Sequence, residues 1–308
     1  MQFDNTVLSS QLWKYIFKCK KIRSMKKMIM CLGAYLIVTF SYTAVSADEG
    51  ASLVTEQRVE SYISQLYKQI DFSKFTPLSY EVFDKACRGY LNLRNSGKLN
   101  TETEVLSVCD FSLPSTENRL WVIDLAKRKV LFNTYVAHGE GSGEDEANSF
   151  SNAFNSHKSS LGFYVTGDIY TGEHGTSLRL NGMDVGFNDA AYDRGIVLHG
   201  AEYVNNKFVA NHNRLGRSWG CPAVPTALYL PIINTVKYGT CLFIYYPDNK
   251  YLSTTCWLNK KINRLPESNM LAEELSQQAP KPRVRVIEYV HNGVVDSTRT
   301  VPIGSSTN

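Results

Sequence analysis

The chain has 308 residues, 43% hydrophobic and 20% charged, an ordinary balance for a globular protein with room for one large domain or two small ones. Its formal charge of +4 is misleading: residues 1–47 hold seven of the 33 basic and one of the 29 acidic residues, so the 261 that follow carry 26 against 28, a net −2. No basic stripe is left, which removes the electrostatic case for nucleic-acid binding.

Lys26-Lys27 precede the apolar run MIMCLGAYLIVTF, and Ala44-Val45-Ser46-Ala47 follow it. A basic n-region, an apolar h-region and small residues at a cleavage point make a secretory signal. The run is short for a membrane span, which needs about 20 apolar residues. Cleavage after Ala47 is therefore expected, rather than an uncleaved anchor. The signal proper reads as residues 25–47, with residues 1–24 a mis-assigned start. Cys31 precedes most of the apolar run, which argues against a lipoprotein. The expected location is the periplasm or cell envelope, with no stable membrane partner after cleavage. Such a compartment is oxidising. Beyond the signal lie Cys87, Cys109, Cys221, Cys241 and Cys256. The odd count leaves one thiol free; the other four either pair, in three possible ways, or stay reduced and buried as small hydrophobes.

A helical leader is expected over residues 48–74. Val54, Val59, Ile63, Leu66, Tyr67 and Ile70 recur close to a 3.6-residue period. Ser79 reads as the cap of a second helix, with Glu81 in its first turn, Val82, Phe83, Ala86, Tyr90 and Leu93 on one face, and Gly97 as its stop. From Val105 the texture changes. β-prone runs at Leu120–Leu125, Val130–Val136, Gly162–Thr166, Ser177–Leu180, Ile196–Leu198 and Thr240–Tyr246 alternate with Gly and Asn turns. Together with 12% aromatics and 18 Tyr, residues suited to pleated surfaces, this density predicts a sandwich or barrel. A helix is predicted at Pro231–Tyr238, Pro231 in its first turn and Gly239 past its end. Residues 251–281 are polar and read as a connection. Val284–Val290 and Val294–Thr300 flank His291-Asn292-Gly293, a hairpin signal, either added to the main sheet or standing as an appendage. No internal repeat is visible.

The chemistry-bearing stretch is GIVLHGAEYVNNKFVANHNRLGRSWGCPAV, residues 195–224. Cys221 follows Ser218-Trp219-Gly220, and His199-Gly200 ends the apolar run Ile196-Val197-Leu198. A thiol needs a base to become a thiolate near neutral pH, and an imidazole supplies one and later returns the proton. His199 on a strand end is placed for that role. Gly200 is expected to let the backbone turn sharply, and its carbonyl to accept the imidazole N–H and fix the tautomer. Gly220 is expected to expose Cys221 on a tight turn, with the backbone N–H groups of Trp219, Gly220 and Cys221 forming an oxyanion hole.

These residues resemble the YkuD-like L,D-transpeptidase catalytic domain, and in Arg-Ser-Trp-Gly-Cys-Pro-Ala its murein L,D-transpeptidase subfamily. The likeness extends to Arg119–Leu125, Val136–Gly139, Phe150–Asn152, Ser160–Tyr164 and His174–Leu178, and covers roughly residues 75–248. It implies a mainly β (α+β) domain of the L,D-transpeptidase sandwich or barrel type behind a short helical segment, with residues 249–308 a linker and C-terminal hairpin extension. It implies that Cys221 attacks a carbonyl in a peptidoglycan stem peptide and forms a thioester, with His199 the base and the Gly200 carbonyl its orienting partner. An amine of a second stem would resolve the thioester as a cross-link. Water in its place would make the protein an L,D-carboxypeptidase or endopeptidase. A non-catalytic peptidoglycan-binding protein is the alternative of another class, against which the intact Cys221/His199 pair speaks.

The chain departs from the broad family pattern in three places. The gap from His199 to Cys221 is long, Trp219 stands where a second His is usual, and Pro222-Ala223 replace the Arg that commonly follows the Cys. Arg217 or Arg214 is expected to grip a stem carboxylate instead, since a guanidinium fork suits carboxylates. Ser218, Trp219, His174 and Tyr164 complete the expected substrate-binding set. His138, before a glycine-rich loop, reads as structural. His212 is a backup base or an exposed residue. Asn152 and Asn188 read equally as groove or turn residues. Zinc on His199, His212 and Cys221 is the rival chemistry, but no Cys-x-x-Cys or His-x-x-x-His pair prearranges it; no metal or other cofactor is expected. Stem peptides are the expected partner.

Overall fold

The computed structural model describes residues 56–173, 175–266 and the strands at 284–291 and 294–302. The expected signal segment and His174 lie outside the described residues. Helix α1, residues 56–69, turns Val59, Ile63 and Leu66 inward at spacings of four and three, and all three are buried. Helix α2 (Tyr80–Asn95) is capped by Ser79, whose hydroxyl accepts from the Val82 N–H at 3.3 Å. That bond satisfies one of the amides a helix start leaves open. Gly89 lets α2 approach the sheet. A Cβ there would fall 1.9 Å from the Phe163 ring.

The strands β1 (Val105–Asp110), β2 (Leu120–Asp124) and β3 (Lys129–Thr134) form a meander. β4 (Gly162–Gly172) and β5 (Gly175–Gly182) follow as a long hairpin. Then come β6 (Val197–Ala201), α3 (Asn206–His212), β7 (Ala223–Pro225), α4 (Tyr229–Val236) and β8 (Cys241–Tyr245). The sheet order is β3-β2-β1-β8-β4-β5-β6-β7, a mostly β fold whose eight-stranded sheet is nearly closed and barrel-like. β1 was missing from the runs marked in the sequence. All six of its residues are buried, so it lacks the alternation that marks a half-exposed strand. Pro231 lies in the first turn of α4, and Gly239 follows the helix with φ +90°.

Residues 249–264, which include the start of the expected polar connection at 251–281, fold back onto this unit. They form α5 (Asn249–Thr254) and α6 (Cys256–Asn259). Tyr251 is fully buried, and its hydroxyl donates to Asp184 at 3.3 Å; the Thr255 hydroxyl donates to the same carboxylate. The Asn92 amide of α2 donates to Trp257 O and Lys260 O at 2.8 and 2.9 Å. Two anchors hold the segment, and neither shows in its local pattern. The chain divides into Met1–Arg264 and Leu265–Asn308. In the second unit β9 (Val284–His291) and β10 (Val294–Pro302) pair antiparallel as a two-stranded sheet of their own; Asn292 and Gly293 at the expected turn lie outside the described residues.

The five cysteines of the described residues are free thiols, with Cys87, Cys109 and Cys241 buried in the core. Burial raises all three far above the ordinary thiol range, with Cys109 at about 12. They are inert packing groups. Among the described residues, no helix is long and apolar enough to cross a membrane.

Candidate active site

β6 and β7 are short parallel neighbours in which His199 pairs with Ala223. Ala223 also bridges Ala137 on its other side, and Ser218 bridges Gly139. Cys221 thus sits at the mouth of β7, on a loop held from both flanks. Gly220 has φ +116°, and a Cβ there would meet Lys158 O at 2.7 Å. The position is strained for any other residue and has no room for a side chain. Ser218 closes the turn. Its hydroxyl donates to Cys221 O at 2.6 Å and accepts the Gly220 N–H at 3.1 Å.

That last bond corrects the expected oxyanion hole. The Gly220 amide is spent on Ser218, whereas the Trp219 and Cys221 amides donate to nothing among the described residues. Gly200 is also corrected. It continues β6 with no left-handed backbone rather than turning sharply. A glycine is required there because the Tyr229 ring packs on it, 2.7 Å from where a Cβ would sit. The Gly200 carbonyl lies 3.0 Å from His199 Nδ1. A carbonyl only accepts, so Nδ1 carries the proton and Nε2 is left basic.

The Cys221 thiol is half-buried. Its sulfur takes the Val197 N–H at 3.5 Å and lies 3.8 Å from Gly195 O. Burial pushes the thiol above its ordinary value, opposed by the Val197 N–H and the Arg194 charge. A resting thiol is the result, so a base must take its proton as it reacts. Cys221 and His199 line one cavity of about 560 Å³, with Tyr170, Glu173, Arg194, Tyr203, Arg217, Ser218 and Trp219 among its walls. Burial and the neighbouring Cys221 raise Tyr203 to about 12, so its hydroxyl stays protonated.

The other expected residues separate. Arg217 reaches the cavity, but its guanidinium bonds Gly143 O at 2.9 Å and Glu144 at 2.8 Å. Arg214 is not in the wall; it pairs with the same Glu144 at 3.0 Å. Trp219 is 71% exposed and stacks at 4.9 Å on His157, which is held by Glu140. Tyr164 is corrected outright: it is fully buried within β4, with its hydroxyl on Ser160 O at 2.9 Å, and does not line the cavity. Its neighbour Phe163 is equally buried, so both faces of β4 are covered there. Asn152 holds Asp189 and Ala190, and Asn188 holds Phe163 and Asp184, both as turn braces. His212 is exposed on α3, bonded to Phe208 O. His199, His212 and Cys221 do not converge, and no group of three or more His, Cys, Asp or Glu does so among the described residues. Arg194 is what the sequence reading missed. Its place just before the run Ile196-Val197-Leu198 was the available signal.

A cysteine on a glycine turn beside a strand-borne histidine with a carbonyl-fixed tautomer defines a site suited to thiol acyl transfer. Residues 74–245 match the family described as the L,D-transpeptidase catalytic domain. They make up more than half of the chain, which belongs to that family. No curated protein matches. Solved structures with which the chain shares similarity include an L,D-transpeptidase from Mycobacterium smegmatis (13% identity, 47% of this chain and 59% of that one, TM-score 0.30). Others are an L,D-transpeptidase from Stackebrandtia nassauensis (12%, 61% and 77%, TM-score 0.29) and a helical cell-shape-determining protein from Campylobacter jejuni (12%, 62% and 64%, TM-score 0.32). The chain thus spans 59% of the first of these.

Proposed function

We propose that the chain is an exported cysteine acyltransferase acting on peptidoglycan stem peptides, an L,D-transpeptidase with its thioester at Cys221. The observation that carries this reading is the single cavity lined by Cys221 and His199, with His199 Nδ1 held by Gly200 O at 3.0 Å. His199 Nε2 takes the Sγ proton as sulfur attacks the stem carbonyl. The oxyanion that forms accepts from the Trp219 and Cys221 amides. The C–N bond then breaks, His199 returns the proton to the departing amine, and a terminal amino acid leaves a thioester behind. An amine of a second stem attacks the thioester, gives its proton to His199 and releases the thiol. Water in place of that amine makes the same site an L,D-carboxypeptidase or endopeptidase. The signal pattern ending at Ala47 supports export to the periplasm or envelope.

Intact-protein mass spectrometry after exposure to a carbapenem tests the nucleophile. The expected result is a covalent adduct on the wild type and none on Cys221→Ala. An unmodified wild type with a folded spectrum overturns the reading. Incubation with a disaccharide-tetrapeptide then separates transfer, which gives a dimer, from hydrolysis, which gives a tripeptide.

A further inference from the structure

We propose that Arg194 is the fixed counter-charge of the Cys221 thiolate, placed from a separate loop in a chain that has Pro222-Ala223 directly after the cysteine. The proposal rests on the reading of Cys221 as nucleophile. Three observations carry it. Arg194 lines the cavity that holds Cys221, and its Nη2 lies 3.4 Å from where a Gly220 Cβ would sit, against the residue preceding the thiol. The guanidinium is immobilised: Nη1 donates to Ser151 O at 3.0 Å and to the Ser160 hydroxyl, and Nη2 to Lys158 O at 2.8 Å and the Ser156 hydroxyl at 3.3 Å. All four partners are neutral.

Its pairing separates it from its neighbours. Arg217 and Arg214 share the one carboxylate of Glu144. Arg194 has no carboxylate partner among the described residues. Burial raises the Cys221 thiol and lowers the Arg194 guanidinium, and the attraction between the two charged forms opposes both shifts. Among the described residues, the other titratable groups that line this cavity are His199 of β6, Tyr203 after it, Tyr170 and Glu173 of the β4–β5 hairpin, and Arg217. A partly buried cation is screened less than a surface one, and an opposite charge nearby favours the ionised thiol. Four bonds to neutral acceptors hold the charge in place without cancelling it, which a carboxylate partner would do. Arg194 acts through Cys221, as a positioning and charge-stabilising residue.

The test is the rate of Cys221 alkylation by iodoacetamide against pH, in wild type, Arg194→Gln, Arg194→Lys and Ser160→Ala. Loss of the charge in Arg194→Gln is expected to slow alkylation about tenfold on the acid side of the profile and to move its inflection up by about one unit. Arg194→Lys, which keeps the charge but not the fork, should stay within about threefold of wild type. Ser160→Ala, which removes an anchor and no charge, should match wild type. An unshifted Arg194→Gln overturns the proposal. So does an equal shift in Arg194→Lys and Ser160→Ala, which would assign the effect to the loop. If Arg194→Gln does not fold, Arg194→Met, with its apolar stem, takes its place under the same criteria. A wild-type Cys221 inert at every pH overturns the nucleophile and this inference with it. A reactive Cys221 indifferent to Arg194 overturns this inference alone.

Discussion

Two His-Gly pairs flank the cysteine loop, and their histidines are equally buried. His138 is 0% and His199 1% exposed. The His138 segment supports the loop through Gly139 and Ala137, and the His199 strand supports it through Ala223 from the other side. Their neighbours make them different. Arg119 donates to His138 Nδ1 at 2.7 Å, and His138 Nε2 faces Gly143 O at 3.4 Å. Arg119 is itself fully buried, bonded to Val136 O and Leu113 O and lying 4.8 Å from the Phe111 centroid. Burial and that guanidinium hold His138 near 4, so it is a neutral structural brace. His199 has its Nδ1 proton on a carbonyl and its ring in the cavity wall. Both rings meet a carbonyl; the same dipeptide is a brace where a buried cation also takes the other ring nitrogen, and a candidate base where the ring lines the cavity.

Mutation of the two should therefore separate chemistry from stability. The largest effect is expected for His199→Ala. Acylation by a carbapenem should fall by about 10²- to 10⁴-fold, the usual worth of a general base, while the unfolding midpoint stays near wild type and Cys221 remains alkylatable. A small loss of acylation would erase the distinction between the two rings. His138→Gln is expected to do the reverse, keeping the acylation chemistry and costing about 1–3 kcal/mol in urea unfolding through the partner lost to buried Arg119.

The pH dependence sharpens the same contrast. The His138 pKa is lowered from 6.5 to about 4 in the folded protein, so between those values the unfolded chain binds more protons. Its contribution to stability is complete above pH 6.5, is lost as pH falls toward 4, and amounts to roughly 3 kcal/mol at most. Urea titrations across that window should show the slope in wild type and lose it in His138→Gln; a slope unchanged by the substitution would place its origin elsewhere. The smallest effect is expected at Trp219, which is mostly solvent-facing and stacked on His157. Trp219→Ala should change stability by less than about 0.5 kcal/mol. Any kinetic change should fall on KM rather than kcat, as expected for a wall residue. A collapse of kcat would instead place the ring beside the reacting atoms.

Much of the fold was legible because local pattern and burial agree. The period of Val59, Ile63 and Leu66, the Ser79 cap and the Gly97 stop gave the two helices, and the β-prone runs gave six of the eight strands of the main sheet. β1 was illegible because full burial erases alternation. α5 and α6 were illegible because a carboxylate on a distant turn, Asp184, and an amide on α2, Asn92, hold them. At the site, Cys221 and His199 were visible as residue types on a turn and a strand. Tyr164 was misplaced because a motif does not say how deeply its residues are buried.

By itself the sequence determined the kind of chemistry available, a thiol, an imidazole and glycines where a turn or a close approach leaves no room for a side chain. It also determined the strands that carry them, since hydrophobic period and turn residues are local properties. Only the tertiary structure decided which amides remain open, which arginine lacks a carboxylate partner and which histidine faces the cavity. Those depend on pairings across long stretches of chain, Arg119 with His138, Glu144 with Arg214 and Arg217, and Lys158 with Arg194, and on the burial that sets what each pairing costs.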